Sequence, residues 1–555
     1  VQRRPRALVI GLDACAPDVV RQFVAGGHLP TIARLLDEGA TATLQQEEGY
    51  FVGSTWPTMM TGVPVTEHLW YTGTRFRPET YDYVLQEIEP APLWHYLDHA
   101  GRRVAVLDVP HFELRGRPNV VGIREFGCHD RFYGPGSHPP ELLAEVVARH
   151  GEHPIGMAAD LPDRRYAPCD ARRSGPRWRD DEIARLHADL LTGVRRKTQL
   201  SLDLLQREPW DLFVTVYGES HCAGHHLWHL HDPEHVHHDG ALARRLSASG
   251  DPLLDVYAAL DEAVGALAAS AGGGPVYLVM SHGMRRHHDG MHLLPELLDR
   301  LDVAWRRERG EGAPLADGLP PVAERSWFLL ENNTASAAVR INLTGREGSG
   351  RVSRSSYDEA LTWLADAFGR IRNDDHGGPV ARRVVRSDEI YRHSHEHLVA
   401  DLLVEWEWRW PIERISSPEI GTLALADPSA RTGEHHRGGV IVAAGPGIAR
   451  QATSMSPLDV MPTLAAAAGV EVHGVPGRVN DALLPRSEGG ADRAVTVSAA
   501  DLRVAELEGR VDGLLAAHHE TRVTAERALA LAAELRDRVA QLERELSRGS
   551  TPVAS

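Results

Sequence analysis

The chain has 555 residues, 42% hydrophobic and 25% charged, with a formal net charge of −17. That length excludes one compact unit of ordinary size and predicts a large core with insertions, or two to three domains. The acidic balance argues against a nucleic-acid binder, whose affinity rests on clustered Lys and Arg, and no run of 18 apolar residues reads as a membrane span.

The opening stretch VQRRPRALVIGLD passes from basic residues straight into a strand, with no signal-peptide apolar region, so a cytoplasmic location is expected. Residues 7–12 (ALVIGL) read as a buried parallel strand ending at Asp13, followed by a helical stretch over 18–37. Further apolar runs at 103–109, 211–217, 275–280 and 439–444 alternate with helical segments. That alternation predicts an α/β fold, a three-layer sandwich around a mostly parallel central sheet. In such sheets functional groups gather at the carboxyl ends of the strands, where Asp13, Glu219, His221, Ser281 and His282 fall.

The stretches 111–200 and 284–430 are richer in Pro, Arg, Trp and Gly and read as cap insertions within a core spanning 1–480. Residues 481–500 read as a linker and 501–548 as a coiled coil. Heptad a positions are Val504, Val511, His518, Ala525, Ala532, Val539 and Leu546, and d positions are Leu507, Leu514, Thr521, Ala528, Leu535 and Leu542. The repeat predicts a homo-oligomer, and its centre at His518 and Thr521 is weak enough for a break. A lone amphipathic helix folding back on the core is the alternative.

Cys15, Cys128, Cys169 and Cys222 lack CxxC spacing and read as free thiols. The 31 histidines cluster, with eight between His221 and His238. Metal binding explains the cluster, and a solvated loop is the bland alternative.

Five stretches resemble the alkaline phosphatase superfamily, in its type I phosphodiesterase/nucleotide pyrophosphatase and predicted phosphohydrolase branch. They are GLDACAPDVV with GGHLPTIARLLDEGA, then STWPTMMTGVPVTEH, RINLTGRE, GEHHRGGVIVAAGPGI and SPLDVMPTLAAAAGV, spanning residues 7 to about 470. The resemblance implies a hydrolase of phosphate mono- or diesters acting on a small anionic substrate. It also implies one or two divalent ions, Zn2+ first and Mn2+ as an alternative, and a Ser or Thr nucleophile at a helix N-terminus. Paired cations would neutralise the charge a phosphoryl group spreads over its oxygens. By this likeness Asp13, His225, His282 and His435 match metal ligands of the family.

The chain also departs from the pattern. His221 stands where the family has Asp, Glu219 two residues earlier could supply the missing carboxylate, and Ser281 replaces another Asp. His221, His225 and His435 would make a three-nitrogen site suited to zinc, and the second reading is a mononuclear-metal hydrolase or group-transfer enzyme of different chemistry, acting on a specialised metabolite or glycan precursor. Thr55, and after it Ser54, is the candidate nucleophile, with Pro57 expected at the first helical turn. The family's ten-residue spacing back from Gly62, however, lands on Val52. A solvent nucleophile would need neither hydroxyl. His292, Arg340 and Arg437 are candidate contacts for an anionic substrate, while His287, His288 and Asp289 border the same region. Sulfatase chemistry is disfavoured by the absence of a Cys-x-Pro-x-Arg motif. The remaining reading is a non-catalytic scaffold.

Overall fold

Ala7–Leu12 forms a strand of six fully buried residues in the middle of the molecule. Successive side chains of a strand point to opposite faces, so Leu8, Ile10 and Leu12 enter one apolar cluster while Ala7 and Val9 enter the other. A strand buried on both faces is possible only with helices on each side. The computed structural model describes residues 6–46, 49–155, 179–311, 319–331, 336–391, 399–427, 429–486, 494–508 and 525–549.

The central sheet has nine strands in the order Gln451–Met455, Ala40–Leu44, Val440–Ala444, Val276–Met280, Ala7–Leu12, Leu212–Tyr217, Val104–Leu107, Val120–Arg124 and Gly136–His138. Pairings are parallel except those made by Val440–Ala444 and by Gly136–His138. Helices Asp180–Arg207, Glu219–His231 and Pro252–Ser270 cover one face, and Phe51–Thr61, Leu93–His99 and Val460–Ala467 cover the other. This is the expected three-layer α/β sandwich.

The helical stretch expected over 18–37 is two helices, Pro17–Ala25 and Pro30–Glu38. Gly27, at φ 75°, turns the chain between them, a conformation that glycine adopts freely. The segment 111–200 departs from its expected role as a cap. Its described part adds two strands to the sheet edge and lays Asp180–Arg207 on the core. The linker expected at 481–500 also docks: Val495–Ser498 pairs in parallel with Val470–His473.

The 284–430 insertion is a cap with its own core. Its antiparallel sheet runs Trp327–Leu330, Ser336–Ile341, Leu402–Trp406 and Ala381–Arg386, backed by helices Leu294–Glu308 and Tyr357–Arg370. A short hairpin joins cap to core, with Gly283–Arg286 antiparallel to Gly433–His436.

At the C-terminus, helical residues 499–508 and the helix Ala525–Gly549 meet within one chain. Leu507 is buried with Ala532 and Leu535, flanked by Val539 and Leu542. These are seam positions of the heptad, so part of the seam is satisfied internally. Val511, Leu514, His518 and Thr521 lie outside the described residues, as does Cys169; Cys15, Cys128 and Cys222 are buried and in no disulfide among the described residues. Among the described residues no helix is long and apolar enough to cross a membrane.

Candidate metal centre

The strand Ala7–Leu12 ends by delivering Asp13, whose N–H continues the ladder to Tyr217 O at 2.9 Å. The next residue, Ala14, has φ 48°, a left-handed conformation costing about 1 kcal/mol outside glycine. It is held by the Ser281 hydroxyl, which accepts from Ala14 N at 2.9 Å and donates to Asp13 Oδ1 at 3.0 Å. Asp13 also accepts from Trp56 Nε1 at 2.7 Å and from His221 Nδ1 at 2.6 Å. Burial alone would raise the Asp13 pKa, but the charge and hydrogen bond of His221 hold it far below the usual carboxylate range.

His221 and His225 lie four apart on Glu219–His231 and share one face. His225 Nδ1 donates to Gly433 O at 2.8 Å, which fixes its tautomer and leaves Nε2 as a lone pair. That Nε2 is buried and without a partner. The approach requires a glycine, because a Cβ on Gly433 would sit 2.0 Å from Gly224 O. His435 arrives on the strand Gly433–His436, its Nε2 3.2 Å from His221 Nε2 and its Nδ1 3.0 Å from His282 Nε2. Burial pushes His225 and His435 well below the usual histidine pKa and His282 to about 4, while Asp13 raises His221 against its burial. Neutral imidazoles are the form a metal ion needs.

The structure thus brings together Asp13, His221, His225, His282 and His435, and adds two residues missed in the sequence. Nitrogen donors of His129, His221 and His225 lie within 4.8 Å of one another, as do donors of His225, Glu434 and His435. His129 stacks on His221 with centroids 3.8 Å apart and bonds Cys222 Sγ at 3.1 Å. Glu434 is the middle residue of Gly-Glu-His and could have been noticed there. His129 lies between the last two strands of the sheet, in a stretch with no motif. The set fits a divalent ion: an orphaned buried nitrogen faces further imidazoles and a carboxylate, a zinc-type donor set.

Glu219 is placed elsewhere. Its carboxylate meets His153 Nε2 at 2.8 Å and Lys197 Nζ at 3.8 Å, and Lys197 in turn contacts Asp108 at 2.8 Å. Burial would raise the Glu219 pKa, but Lys197 and His153 lower it. It supplies an internal counter-charge rather than the missing carboxylate.

The hydroxyls also lie apart from the expected position. The helix runs Phe51–Thr61 with Pro57 in its interior, so Phe51 and Val52 occupy its first turn. The full ten-residue spacing is present, and the residue at its head is apolar. Thr55 is 1% exposed, donates back to Phe51 O, and accepts from Gln46 Nε2 at 3.0 Å. Ser54 is buried in the same turn. The Phe51 ring stands edge-on to His282 at 6.0 Å between centroids.

Of the three substrate candidates, Arg437 lines a pocket beside His435 with Phe51, Arg285 and Glu405, and bonds Glu405 at 3.3 Å. Arg285, not singled out in the sequence, has a buried Nη1 without a partner, and burial pushes its pKa down to about 10. Arg340 is fully buried and bonds Glu347 at 2.7 Å and Val399 O at 2.7 Å, so the RINLTGRE stretch builds an ion network inside the cap. His292 lies outside the imidazole group, bonding Leu425 O at 3.0 Å.

A family profile described as type I phosphodiesterase/nucleotide pyrophosphatase matches residues 7–436. Among solved structures, alkaline phosphatase PafA superposes with a TM-score of 0.52 at 13% identity, covering 87% of this chain and 100% of that one. Phosphonoacetate hydrolase from Sinorhizobium meliloti gives 0.49 at 14% identity, covering 84% and 96%. Murine ectonucleotide pyrophosphatase/phosphodiesterase 5 gives 0.47 at 12% identity, covering 88% and 98%. No curated protein matches the chain's sequence.

Proposed function

The chain belongs to the type I phosphodiesterase/nucleotide pyrophosphatase family, and from that premise we propose that it hydrolyses small phosphate esters at a zinc-type ion held by His221, His225 and His435. The observation that carries this reading is the His225 imidazole, with one nitrogen fixed on Gly433 and the other buried and unpartnered among further donors.

A bound divalent ion supplies positive charge to the phosphoryl oxygens and acidity to a neighbouring hydroxyl or water. Asp13 accepts the Nδ1 proton of His221 and so aims His221 Nε2 at His435. Arg285 and Arg437 line the pocket beside His435 and provide cations for the ester's anionic oxygens. Phe51 lines the same pocket and gives it an apolar wall. One ion is our reading, because Asp13 is engaged by His221, Trp56 and Ser281.

Thr55 spends its hydroxyl within its own helix, so we assign the attack to solvent water. In Thr55→Ala, kcat for a phosphodiester should stay within about tenfold of wild type; a loss of about 10³ or more would make Thr55 the nucleophile. Elemental analysis paired with phosphomonoester and phosphodiester turnover tests the whole reading. One ion per chain, lost with activity in His225→Ala, is expected at this centre, and metal-independent turnover would overturn it.

We further propose a cytoplasmic homo-oligomer. The free cysteines suit a reducing compartment, and the seam residues Val539 and Leu542 are only partly covered. Light scattering should give a multiple of the chain mass that falls to one chain when residues 525–555 are removed.

A further inference from the structure

Next to the imidazole centre, on the far side of Glu434, lies a second group of donors that the proposed hydrolysis does not use. Donor atoms of His287, Asp289 and Glu434 all lie within 4.8 Å of one another. His287 Nε2 is 3.0 Å from Asp289 Oδ2 and 3.7 Å from Asp427 Oδ2. His292 completes the group. Its Nε2 donates to Leu425 O at 3.0 Å, which leaves Nδ1 as a lone pair. That Nδ1 is buried and has no hydrogen-bond partner, its side chain is only 7% exposed, and Asp427 Oδ1 stands 4.0 Å from it.

A buried lone pair facing a carboxylate is unfavourable unless a proton or a metal ion stands between them. A protonated His287 would answer both Asp289 and Asp427 and would still leave the His292 Nδ1 without a partner. Asp289, Asp427 and Glu434 bring three negative charges, and Arg431, 3.6 Å from Glu434, and Arg285 are cations that act on them. Each ligand also has outer support of the kind that orients metal ligands. His287 Nδ1 meets Ser429 Oγ at 3.5 Å, Asp289 accepts from Met291 N at 2.9 Å, and Asp427 accepts from Ser429 N at 2.8 Å.

We propose that His287, Asp289, His292, Asp427 and Glu434 form a second divalent-cation site, apart from the Asp13–Ser281–His282 strand ends. Its mixed imidazole and carboxylate donors suit a borderline transition ion rather than Ca2+ or Mg2+, which take oxygen ligands. The ligands come from both chain crossings of the cap, 287–292 on the way out and 427–434 on the way back. An ion here ties the cap's neck to itself, and Glu434 faces both this site and His225 with His435.

The full-length protein, stripped by chelation and titrated with Co2+, tests this by bound metal per chain and visible absorption. The Asp289→Asn/Asp427→Asn double variant should bind one ion fewer than wild type. His225→Ala/His435→Ala should keep that ion and lose the other. Equal binding by wild type and the Asp double variant overturns the site, as does loss of every ion in the His double variant. If the His double variant keeps its full complement while the Asp variant loses one, this site stands and the hydrolytic assignment falls. Should the Asp variant not fold, His292→Gln is expected to weaken one Co2+ by at least about tenfold, and unchanged affinity overturns the proposal.

Discussion

Lys197 is a single cation with two buried carboxylates, Asp108 at 2.8 Å and Glu219 at 3.8 Å, all within the protein interior. Removing it takes the cation from Asp108 and leaves Glu219 with His153, and breaking a buried pair in this way costs about 3–5 kcal/mol. Lys197→Met should therefore lower the urea midpoint by that equivalent, a far larger effect than losing an exposed ion pair. Asp401 gives a pH-dependent counterpart. Burial would raise its pKa, but bidentate bonds from Arg346 at 2.7 Å, with Tyr357 at 2.6 Å, lower it. A lowered folded pKa means the stabilisation is complete above the unfolded value of about 3.9 and is lost as pH falls through the folded value. Thermal unfolding at pH 6 and at pH 3 should show Asp401→Asn less stable at pH 6, with the gap narrowing at pH 3. At this scale the sequence is legible where a residue closes a strand or repeats along a helix, as with Asp13, His221, His225 and His282. It is illegible where partners come from afar. Glu219 looked like a ligand because it precedes His221, yet its neighbours His153 and Lys197 lie 66 and 22 positions away in the chain.

Among elements, the nucleophile helix shows what spacing can and cannot reveal. Counting back from Gly62 places Val52 at the helix head, and the helix starts at Phe51, so the count was sound. Pro57 misled the choice of Thr55, because proline is tolerated at a first turn and this one sits inside the helix instead. The C-terminal seam was legible as a period of 3.5. The partner of its residues was not, because Leu507, Ala532 and Leu535 meet within one chain. Residues 499–508 are anchored by Glu506, 2.7 Å from both His95 and Arg117. Leu507→Ala should remove about 2 kcal/mol of packing and speed protease cleavage of residues 499–549, with phosphodiesterase activity unchanged.

The whole molecule is a three-layer core carrying a cap, and the strand runs at 7–12, 211–217, 275–280 and 439–444 were enough to read that architecture. The first supposed cap was misread because edge strands and a long amphipathic helix share the composition of an insertion. The cap neck has a consequence in time. Ala7–Leu12, Leu212–Tyr217 and Val276–Met280 are adjacent in the sheet, and Asp13, His221 and His282 arrive with them. His435 lies 153 positions after His282, beyond the whole of the cap. The strand Val440–Ala444, which joins Val276–Met280 to Ala40–Leu44, follows five residues later, so the last imidazole and the closing of the sheet arrive together. During refolding, Co2+ absorption should develop with the last part of the far-ultraviolet signal of the core rather than before it, and a chain halted before residue 433 would hold a partial set of donors. Ion uptake then acts as a clock for the completion of the chain.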